Sequence, residues 1–210
     1  MFKRPLDVIV ASLGLLLLSP LLLGVAAAIK WGSPGPIFYR GVRVGLGGRP
    51  FRIFKFRTMV TDSDKIGGPS TAGDDPRITR VGVFLRARKL DELPQLLNVL
   101  AGDMSIVGPR PEVQHYVDMY SDEERRILSV RPGITDFASL WNADEGAALA
   151  GAADPEQAYM ERIRPEKIRL QLEYVRRQSL LTDLRIVMRT IGAVVFRSTP
   201  GAVKALGDKR

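Results

Sequence analysis

The sequence contains no cysteine, and its single histidine is His115. The absence of cysteine excludes disulfides and metal sites built on thiolates, but it leaves the cellular compartment open. Charged residues are missing from Val8 to Ile29, and acidic residues are missing between Asp7 and Asp62. The first third of the chain is therefore apolar and then basic. A lone histidine is more often structural than catalytic.

The bulk composition describes one folded domain with a basic surplus. The 210 residues are 45% hydrophobic and 26% charged, which is an ordinary globular balance for one sizeable domain. The 31 basic residues outnumber the 23 acidic ones, so the net charge is +8. This surplus indicates an anionic partner, and composition alone does not choose among nucleic acid, an acidic membrane surface and a phosphorylated substrate.

The uncharged run from Val8 to Ile29 has the length of a membrane helix, because as a helix it crosses a hydrocarbon core of about 30 Å. If the run were a signal peptide, Lys3 and Arg4 would form its basic start and 26–28 (AAA) its cleavage site. Asp7 and the length of the run disfavour this interpretation. A single spanning helix is the commonest interpretation of such a run.

Ser19-Pro20, in the middle of the run, allows a third arrangement. Proline lacks the amide hydrogen and clashes with the preceding turn, so it kinks or breaks a helix. Each half then has roughly ten residues and a length of about 15 Å, which reaches only the middle of a bilayer. Both flanks are basic, and basic flanks favour the cytoplasmic side. A helix that enters, breaks and returns would place both ends there, with the Ser19 hydroxyl satisfying a backbone group at the break. A kinked spanning helix is the alternative.

Beyond this run, the pattern predicts short elements. Residues 36–59 indicate short strands around a Gly-rich turn at 45–48, and residues 78–101 indicate a helix in two pieces. Residues 61–77 are rich in Gly, Pro, Ser and Asp, and residues 143–157 in Ala, Gly and Asp. Both segments are predicted as loops.

Helical spacing returns in two C-terminal segments, around 168–175 and 180–195. The second segment is basic and amphipathic, which fits a helix in a membrane interface and equally a surface helix packed on its own core. We expect an α+β, mostly helical fold, with a membrane helix at 1–30, a compact domain at 31–197 and a flexible C-terminal tail at 198–210.

The densest group of charged residues lies at 86–95, with the sequence RARKLDELPQ. Proline is tolerated in the first turn of a helix, so Pro94 predicts a helix start near Asp91. Asp91 and Glu92 would then lie at a helix N-terminus, where the helix dipole stabilises anions. The structural interpretation is that Asp91 is an N-cap and Glu92 a first-turn acid.

The basic residues around this pair support a chemical interpretation. Arg86, Arg88 and Lys89 precede the pair, and Arg110 and Arg131 lie in proline-containing loops. A carboxylate pair can hold Mg²⁺ together with phosphate oxygens, and arginine forks match phosphate. An aspartate can also attack phosphorus to form an acyl phosphate, and it is already ionised near neutral pH. Such a set suits phosphoryl chemistry on a pyrophosphate.

Other candidates carry weaker signals. Asp103, in the sequence GDMS, could hold a turn, cap a helix or bind substrate. The glycines at 45–48 do not form a P-loop, because the Gly-Lys-Ser/Thr ending is missing. Trp141 and Tyr174 could stack a base, although such aromatics are more often part of the core.

The motifs together resemble one family. In chain order they are KRPLDV at 3–8, SP at 19–20, PIF at 36–38, FKFRTM at 54–59, LDELPQLLNVLAGDMSIVGPRP at 90–111 and RPGIT at 131–135. The chain resembles the bacterial sugar transferases, the monotopic polyprenyl-phosphate phosphoglycosyl transferases, in their minimal catalytic form. The stretch at 90–111 is highly specific.

The resemblance implies a helix–break–helix at Ser19-Pro20 that re-enters the bacterial inner membrane, with a catalytic domain on the cytoplasmic face. It implies transfer of a sugar 1-phosphate from a UDP-sugar to a polyprenol phosphate, expected to be undecaprenyl phosphate, with release of UMP. This reaction is the first membrane step of surface glycan assembly. Membrane lipid is then a partner and nucleic acid is not, while the oligomeric state is open.

The resemblance also implies roles for individual residues. Asp91 is expected to be the nucleophile that carries a phosphosugar intermediate, and Glu92 is expected to act in catalysis as the ligand of the Mg²⁺ cofactor. The residues expected to contact phosphate or substrate are Lys55, Arg57, Arg86, Asp103, Arg110 and Arg131.

One segment departs from the family pattern. After RPGIT, many members continue with Gly and an Ala-Gln-Val type of sequence, whereas residues 136–142 here are DFASLWN. This segment could influence which sugar is transferred.

The rival interpretation of the whole chain is a non-enzymatic, membrane-tethered protein whose basic face binds acidic lipid or nucleic acid. This interpretation gives no role to Asp91 and Glu92.

Overall fold

The described part of the chain folds into a mostly helical structure with three small sheets, which confirms the α+β class. The computed structural model describes residues 3–66 and 71–195, so the expected tail at 198–210 lies outside the described residues. The α-helices are α1 (Lys3–Gly32), α2 (Ser63–Ile66), α3 (Arg80–Ala87), α4 (Gln95–Ala101), α5 (Gln114–Asp118), α6 (Phe137–Trp141), α7 (Glu145–Leu149), α8 (Pro155–Ala158), α9 (Arg164–Arg177) and α10 (Leu180–Val195). The strands are β1 (Phe38–Tyr39), β2 (Val42–Val44), β3 (Pro50–Arg52), β4 (Lys55–Phe56), β5 (Ser105–Val107) and β6 (Gly133–Thr135).

The helix α1 is long and apolar enough to cross a membrane, with a mean hydropathy of 2.5 over an 18-residue window. The expected break at Ser19-Pro20 does not appear as a separation into two helices, because α1 continues through Pro20. Pro20 has no amide hydrogen to donate to the carbonyl of Leu16, four residues earlier. The Ser19 hydroxyl donates to that carbonyl instead, at 2.8 Å, so the side chain satisfies the backbone where the proline cannot.

Both ends of α1 pack on the same domain. Near its start, the buried Asp7 carboxylate accepts hydrogen bonds from the Ser105 hydroxyl at 2.8 Å and the Ile106 amide at 3.1 Å. Near its end, Ile29 is buried in an apolar cluster with Phe56. Between these ends, one face of α1 leaves apolar side chains more than half exposed. They include Leu13, Leu16, Leu17 and Leu23.

Two antiparallel strand pairs, β1 with β4 and β2 with β3, follow α1 and confirm the strands predicted at 36–59. Gly47 and Gly48 lie in the turn between β2 and β3, with φ angles of +65° and +78°. These angles belong to the left-handed region, which glycine adopts without strain. The predicted Gly-rich turn therefore joins two strands.

The parallel pair of β5 and β6 brings two proline-containing loops together. Gly133 approaches Gly108 so closely that a Cβ atom on Gly133 would lie 2.0 Å from the Gly108 nitrogen. The Gly133 amide donates to the carbonyl of Pro109 at 2.9 Å. The backbone just before Arg110 and the backbone just after Arg131 are therefore in direct contact, with no side chain between them.

The loop prediction for 143–157 is wrong, because this segment contains α7 and α8. Asp144 caps α7 by accepting a hydrogen bond from the Ala147 amide at 3.0 Å, and Asp154 caps α8 in the same way. Alanine favours helix, so an alanine-rich segment with capping aspartates forms short helices. The loop predicted at 61–77 is likewise interrupted by α2.

The helices α9 and α10 complete the domain. Tyr174 of α9 is fully buried, and its hydroxyl donates to the Asp183 carboxylate of α10 at 2.8 Å, so Tyr174 is a core residue. Ile186 of α10 is also fully buried, whereas the opposite side of α10 is apolar and exposed. Its exposed residues are Leu180, Leu181, Leu184, Met188 and Ile191. The amphipathic pattern predicted for this helix is therefore present.

Candidate active site

Asp91 and Glu92 lie in a short 3-10 turn, Leu90–Glu92, between α3 and α4. The helix in two pieces that was predicted at 78–101 is thus confirmed. However, α4 begins only at Gln95, so the helix start predicted near Asp91 lies four residues later. No side-chain hydrogen bond caps α4. The capping interpretation of Asp91 is therefore wrong, and its carboxylate has no structural role at that helix.

Glu92 is the centre of a partly buried ion cluster. Arg110 donates to both carboxylate oxygens, with Nη1 to Oε2 at 3.1 Å and Nη2 to Oε1 at 2.5 Å. Lys55 Nζ donates to Oε1 at 3.0 Å. Burial by itself would raise the pKa of the Glu92 carboxyl, but Arg110 and Lys55 outweigh burial and hold this pKa well below its usual range. Glu92 is therefore an ionised carboxylate with two cationic partners.

Asp91 occupies a different environment from its neighbour. Its side chain is buried, and within the described residues its Oδ1 atom has no hydrogen-bond partner. Burial raises the pKa of the Asp91 carboxyl, and the negative charge of Glu92 raises it further. Lys55 and Arg86 act in the opposite direction without reversing the shift. Asp91 thus presents a poorly solvated and comparatively basic oxygen, which suits a nucleophile.

Arg86, at the end of α3, is oriented by a residue that sequence reasoning missed. Its Nε donates to the Thr58 hydroxyl at 2.9 Å, and its charge acts on Asp91. Burial lowers the pKa of both Arg86 and Lys55. Thr58 lies in the FKFRTM motif, but a threonine among charged residues gives no separate signal of its role.

Asn98 and Gln171 also support the site, and both were missed. The buried Asn98 amide accepts from the Phe54 amide at 2.7 Å and donates to the Arg52 carbonyl at 2.9 Å, which ties α4 to the chain leading to Lys55. A polar residue inside the apolar helix α4 is the signal that could have identified it. Gln171 donates to the Arg110 carbonyl at 3.4 Å from α9, and nothing local marks that long-range contact.

Arg57 is directed away from the carboxylate pair. Its guanidinium donates to the Ser33 carbonyl at 2.8 Å, to the Ser33 hydroxyl at 2.9 Å and to the Pro34 carbonyl. The side chain is buried with these partners, just beyond the end of α1. In this structure Arg57 therefore holds the segment that follows α1 against the domain. A contact between Arg57 and substrate stays a prediction.

Asp103 and Arg131 lie at the opposite end of α4 from the carboxylate pair. Asp103 accepts a hydrogen bond from Asn98 at 3.2 Å, and Arg131 Nε donates to the Gly102 carbonyl at 3.0 Å. The 7 residues of α4 separate them from Glu92, a rise of about 10 Å. The structure brings Lys55, Arg86 and Arg110 to the pair but not these two residues, whose contact with substrate stays a prediction.

The carboxylate pair fits Mg²⁺ by its chemistry. Within residues 3–66 and 71–195, no group of three or more His, Cys, Asp or Glu side chains could hold a metal. Mg²⁺ commonly takes one or two carboxylates, with substrate phosphates and water as the other ligands. Asp91 Oδ1 is unpartnered, and Glu92 accepts three hydrogen bonds where a carboxylate offers about four positions. Each carboxylate therefore retains an open position.

The segment that departs from the family pattern forms α6 and its cap. Asp136 is fully buried and accepts a hydrogen bond from the Ser139 amide at 2.7 Å. Burial raises the pKa of the Asp136 carboxyl. Trp141, at the end of α6, is 41% exposed. His115 is exposed and lies outside the ion cluster.

Comparison with known proteins identifies one family. The family model described as "Bacterial sugar transferase" matches residues 1–197, nearly the whole chain. That match includes α1, the ion cluster and the described part of α10.

Individual relatives agree with the family match. The UDP-glucose:undecaprenyl-phosphate glucose-1-phosphate transferase of Caulobacter vibrioides is 44% identical over 200 residues, which cover 92% of this chain and 69% of that protein. A UDP-N-acetylgalactosamine-undecaprenyl-phosphate N-acetylgalactosaminephosphotransferase of Aeromonas hydrophila is 39% identical, over 92% of this chain and 43% of the relative. The exopolysaccharide production protein ExoY of Sinorhizobium fredii is 39% identical, over 91% of this chain and 84% of the relative. The chain thus spans less than half the length of some of the relatives that it matches.

Proposed function

Because the chain belongs to the bacterial sugar transferase family, we propose that it transfers a sugar 1-phosphate from a UDP-sugar to a polyprenol phosphate and releases UMP. The names of two relatives differ in the sugar, glucose or N-acetylgalactosamine, and share UDP and undecaprenyl phosphate. The single observation that carries the proposal is the buried and unpartnered Oδ1 of Asp91 beside a cluster of cations.

Asp91 is the nucleophile of the proposed first step. Its Oδ1 forms a bond to the sugar-linked phosphorus, the bond from that phosphorus to the bridging oxygen breaks, and UMP leaves with the electron pair. In the second step an oxygen of the polyprenol phosphate attacks the same phosphorus. The bond between Asp91 and phosphorus then breaks, and the carboxylate is restored. Two displacements divide one difficult transfer into two easier ones.

The cations around Asp91 offset the negative charge of the pyrophosphate in the substrate. Lys55, Arg86 and Arg110 surround the carboxylate pair, and their positive charge favours a pyrophosphate over a neutral ligand. Glu92 holds Arg110 through a two-point contact, which fixes the guanidinium and leaves its other N–H groups to donate to phosphate oxygens. When bound, Mg²⁺ would supply further neutralisation of phosphate charge, and Glu92 would hold it beside Asp91.

We propose that the protein lies on the cytoplasmic face of the bacterial inner membrane and that α1 bends at Pro20, so that it enters the bilayer from that face and returns to it. Both ends of α1 contact one domain, which supports a single-sided arrangement. The exposed apolar faces of α1 and α10 would then contact lipid. The reaction would be the first membrane step of surface glycan assembly.

Cysteine labelling tests this arrangement without background, because the sequence has no cysteine. Cysteines introduced separately at Phe2 and at Trp31, which is 87% exposed, flank the two ends of α1. In spheroplasts, both should be shielded from a membrane-impermeant maleimide, and both should react after the membrane is opened. A cysteine at the exposed Asp122 of the domain is the matched control for the cytoplasmic side. Labelling of exactly one α1 end from outside would establish a spanning helix.

Arg110→Lys tests the guanidinium fork. Lysine keeps the charge but cannot contact both oxygens of Glu92 or of a phosphate, so the transfer rate should fall at least about tenfold, or roughly 1.4 kcal/mol in barrier. Arg169→Lys is the matched control, since Arg169 pairs with Glu166 and Glu173 on the exposed surface of α9. A folded Arg110→Lys variant with the parent rate would contradict the role of the fork.

A non-enzymatic role for the basic surface is the rival function, and one assay separates the two. The purified protein is incubated with Mg²⁺, undecaprenyl phosphate and a mixture of UDP-sugars. Release of UMP that depends on both protein and lipid supports the transferase. No release by folded protein from any UDP-sugar would overturn it. Repeating the assay one sugar at a time identifies the donor.

A further inference from the structure

An apolar cavity of about 120 Å³ lies between α1 and the domain. Four residues of α1 form one wall, and they are Leu15, Leu22, Leu23 and Ala26. Phe38 of β1, Phe56 of β4 and Leu97 of α4 lie on the other side. All the residues that line this cavity are apolar, so it offers a ligand no hydrogen bond and suits a hydrocarbon.

The cavity adjoins the ion cluster through two elements. Phe56 lines the cavity and directly follows Lys55 in β4, and successive side chains of a strand point to opposite faces. Pro94 also lines the cavity and lies two residues after Glu92, at the start of α4. The same strand and turn therefore carry cationic groups on one side and an apolar wall on the other.

The cavity also reaches the apolar outer face of α1. Leu23 lines it and is nevertheless 71% exposed, next to other exposed leucines of α1. A hydrocarbon chain that extended out of the cavity past Leu23 would lie along the exposed apolar face of α1. In the proposed membrane arrangement, that face contacts lipid. The cavity thus connects the site of phosphate chemistry to the hydrocarbon phase.

We infer that this cavity, lined by Leu22, Ala26, Phe38, Phe56 and Leu97, seats the isoprene unit next to the phosphate of the lipid acceptor. This assignment rests on the proposed function and deepens it. The acceptor has one anionic end and one hydrocarbon chain, which matches cations beside an apolar wall. The volume is close to that of a cavity of roughly 150 Å³ that binds benzene, so it holds one five-carbon unit and not a long chain.

The two phenylalanines give this seat a defined shape. The rings of Phe38 and Phe56 are stacked, with centroids 5.5 Å apart and planes inclined by 16°. They are held by the pairing of β1 with β4, in which Phe38 lies opposite Phe56. The positions of these two rings in the seat are therefore fixed by paired backbone.

Leu97→Trp tests the seat by filling it from the domain side. The KM for undecaprenyl phosphate should rise at least about tenfold, because the added indole occupies the volume of the isoprene unit. The matched control is Leu100→Trp on the same helix, where the side chain is 36% exposed and does not line the cavity. Ala26→Leu fills the cavity from α1 and provides a second variant if Leu97→Trp does not fold.

Release of UMP in the absence of acceptor separates this inference from the proposed function. With UDP-glucose or UDP-N-acetylgalactosamine, whichever the parent accepts, the filled variants should still release one UMP per enzyme, since the seat is used only in the second step. If the parent releases none, the proposed two-step function fails. If both filled variants fold and keep the parent KM for the acceptor, the seat is wrong.

The length of the acceptor's hydrocarbon chain provides a further test of the seat. Geranyl phosphate, with two isoprene units, should show the same rise in KM as undecaprenyl phosphate in Ala26→Leu and Leu97→Trp, because only the first unit occupies the seat. A rise confined to undecaprenyl phosphate would overturn the assignment, since the cavity would then hold a distant part of the chain or a bilayer lipid.

Discussion

Asp91→Asn should eliminate transfer, with a loss of at least about 10³-fold, or roughly 4 kcal/mol in barrier. Asparagine keeps the size of the side chain but removes the anionic oxygen that attacks phosphorus. Asp91 caps no helix, so the substitution removes no cap and the variant should fold. The parent, incubated with its UDP-sugar and Mg²⁺ but no acceptor, should release UMP up to the amount of enzyme. Intact-mass measurement should show one added phosphosugar on the peptide that contains Asp91.

Asp122→Asn is the matched control for this experiment, because Asp122 is an exposed carboxylate outside the site. It should keep both the burst of UMP and the adduct, while Asp91→Asn should show neither. An adduct on another residue would refute the nucleophile while leaving the family unaffected. Product that forms only when both substrates are present, with no adduct, would favour direct attack by the lipid phosphate.

The burst should also carry a pH signature of Asp91. The carboxyl attacks only when deprotonated, so the burst rate falls as the pH drops through its pKa. Burial and the charge of Glu92 raise this pKa above the ordinary 3.8. The acid limb of the burst rate should therefore begin at a higher pH than for an unperturbed aspartate. Rapid-quench measurement of UMP across the acid range checks this.

Glu92→Gln should produce the second large loss, of at least about 10²-fold in rate. The neutral amide leaves Arg110 and Lys55 without their common anion and weakens the proposed hold on Mg²⁺. Removing the anion of a partly buried ion cluster also lowers the folding stability, because Arg110 and Lys55 lose their ion-pair partner, so the variant should melt at a lower temperature. The Mg²⁺ concentration for half-maximal rate should rise in the folded fraction.

Glu92→Asp is the matched control for charge. It keeps the carboxylate on a side chain one methylene shorter, so it should recover much of the stability and part of the activity. Titration of Mg²⁺ into each variant, followed by chelation, separates metal binding from folding. An unchanged Mg²⁺ dependence in a stable Glu92→Gln variant would show that Glu92 is not the metal ligand.

The sequence predicted the carboxylate pair better than it predicted the residues around it. Asp91 and Glu92 were identified because a motif and a group of basic residues coincide there, but the capping alternative depended on a helix start that actually lies at Gln95. Residues 143–157 were assigned to a loop because Gly and Asp are common in loops. Those aspartates instead cap α7 and α8, and composition alone does not distinguish a capping aspartate from a loop aspartate.

Sequence alone determined the features that depend on neighbouring residues: the apolar run of α1, the glycine turn at 45–48 and the carboxylate pair. Tertiary structure decided which cations meet that pair. Lys55 and Arg110 reach Glu92 across 37 and 18 residues, whereas Arg131 lies at the other end of α4. The physical reason is that local propensity acts over a few residues. Contacts between distant side chains depend on how strands, turns and helices pack, and the same packing brings both ends of α1 to one domain and encloses the apolar cavity between them.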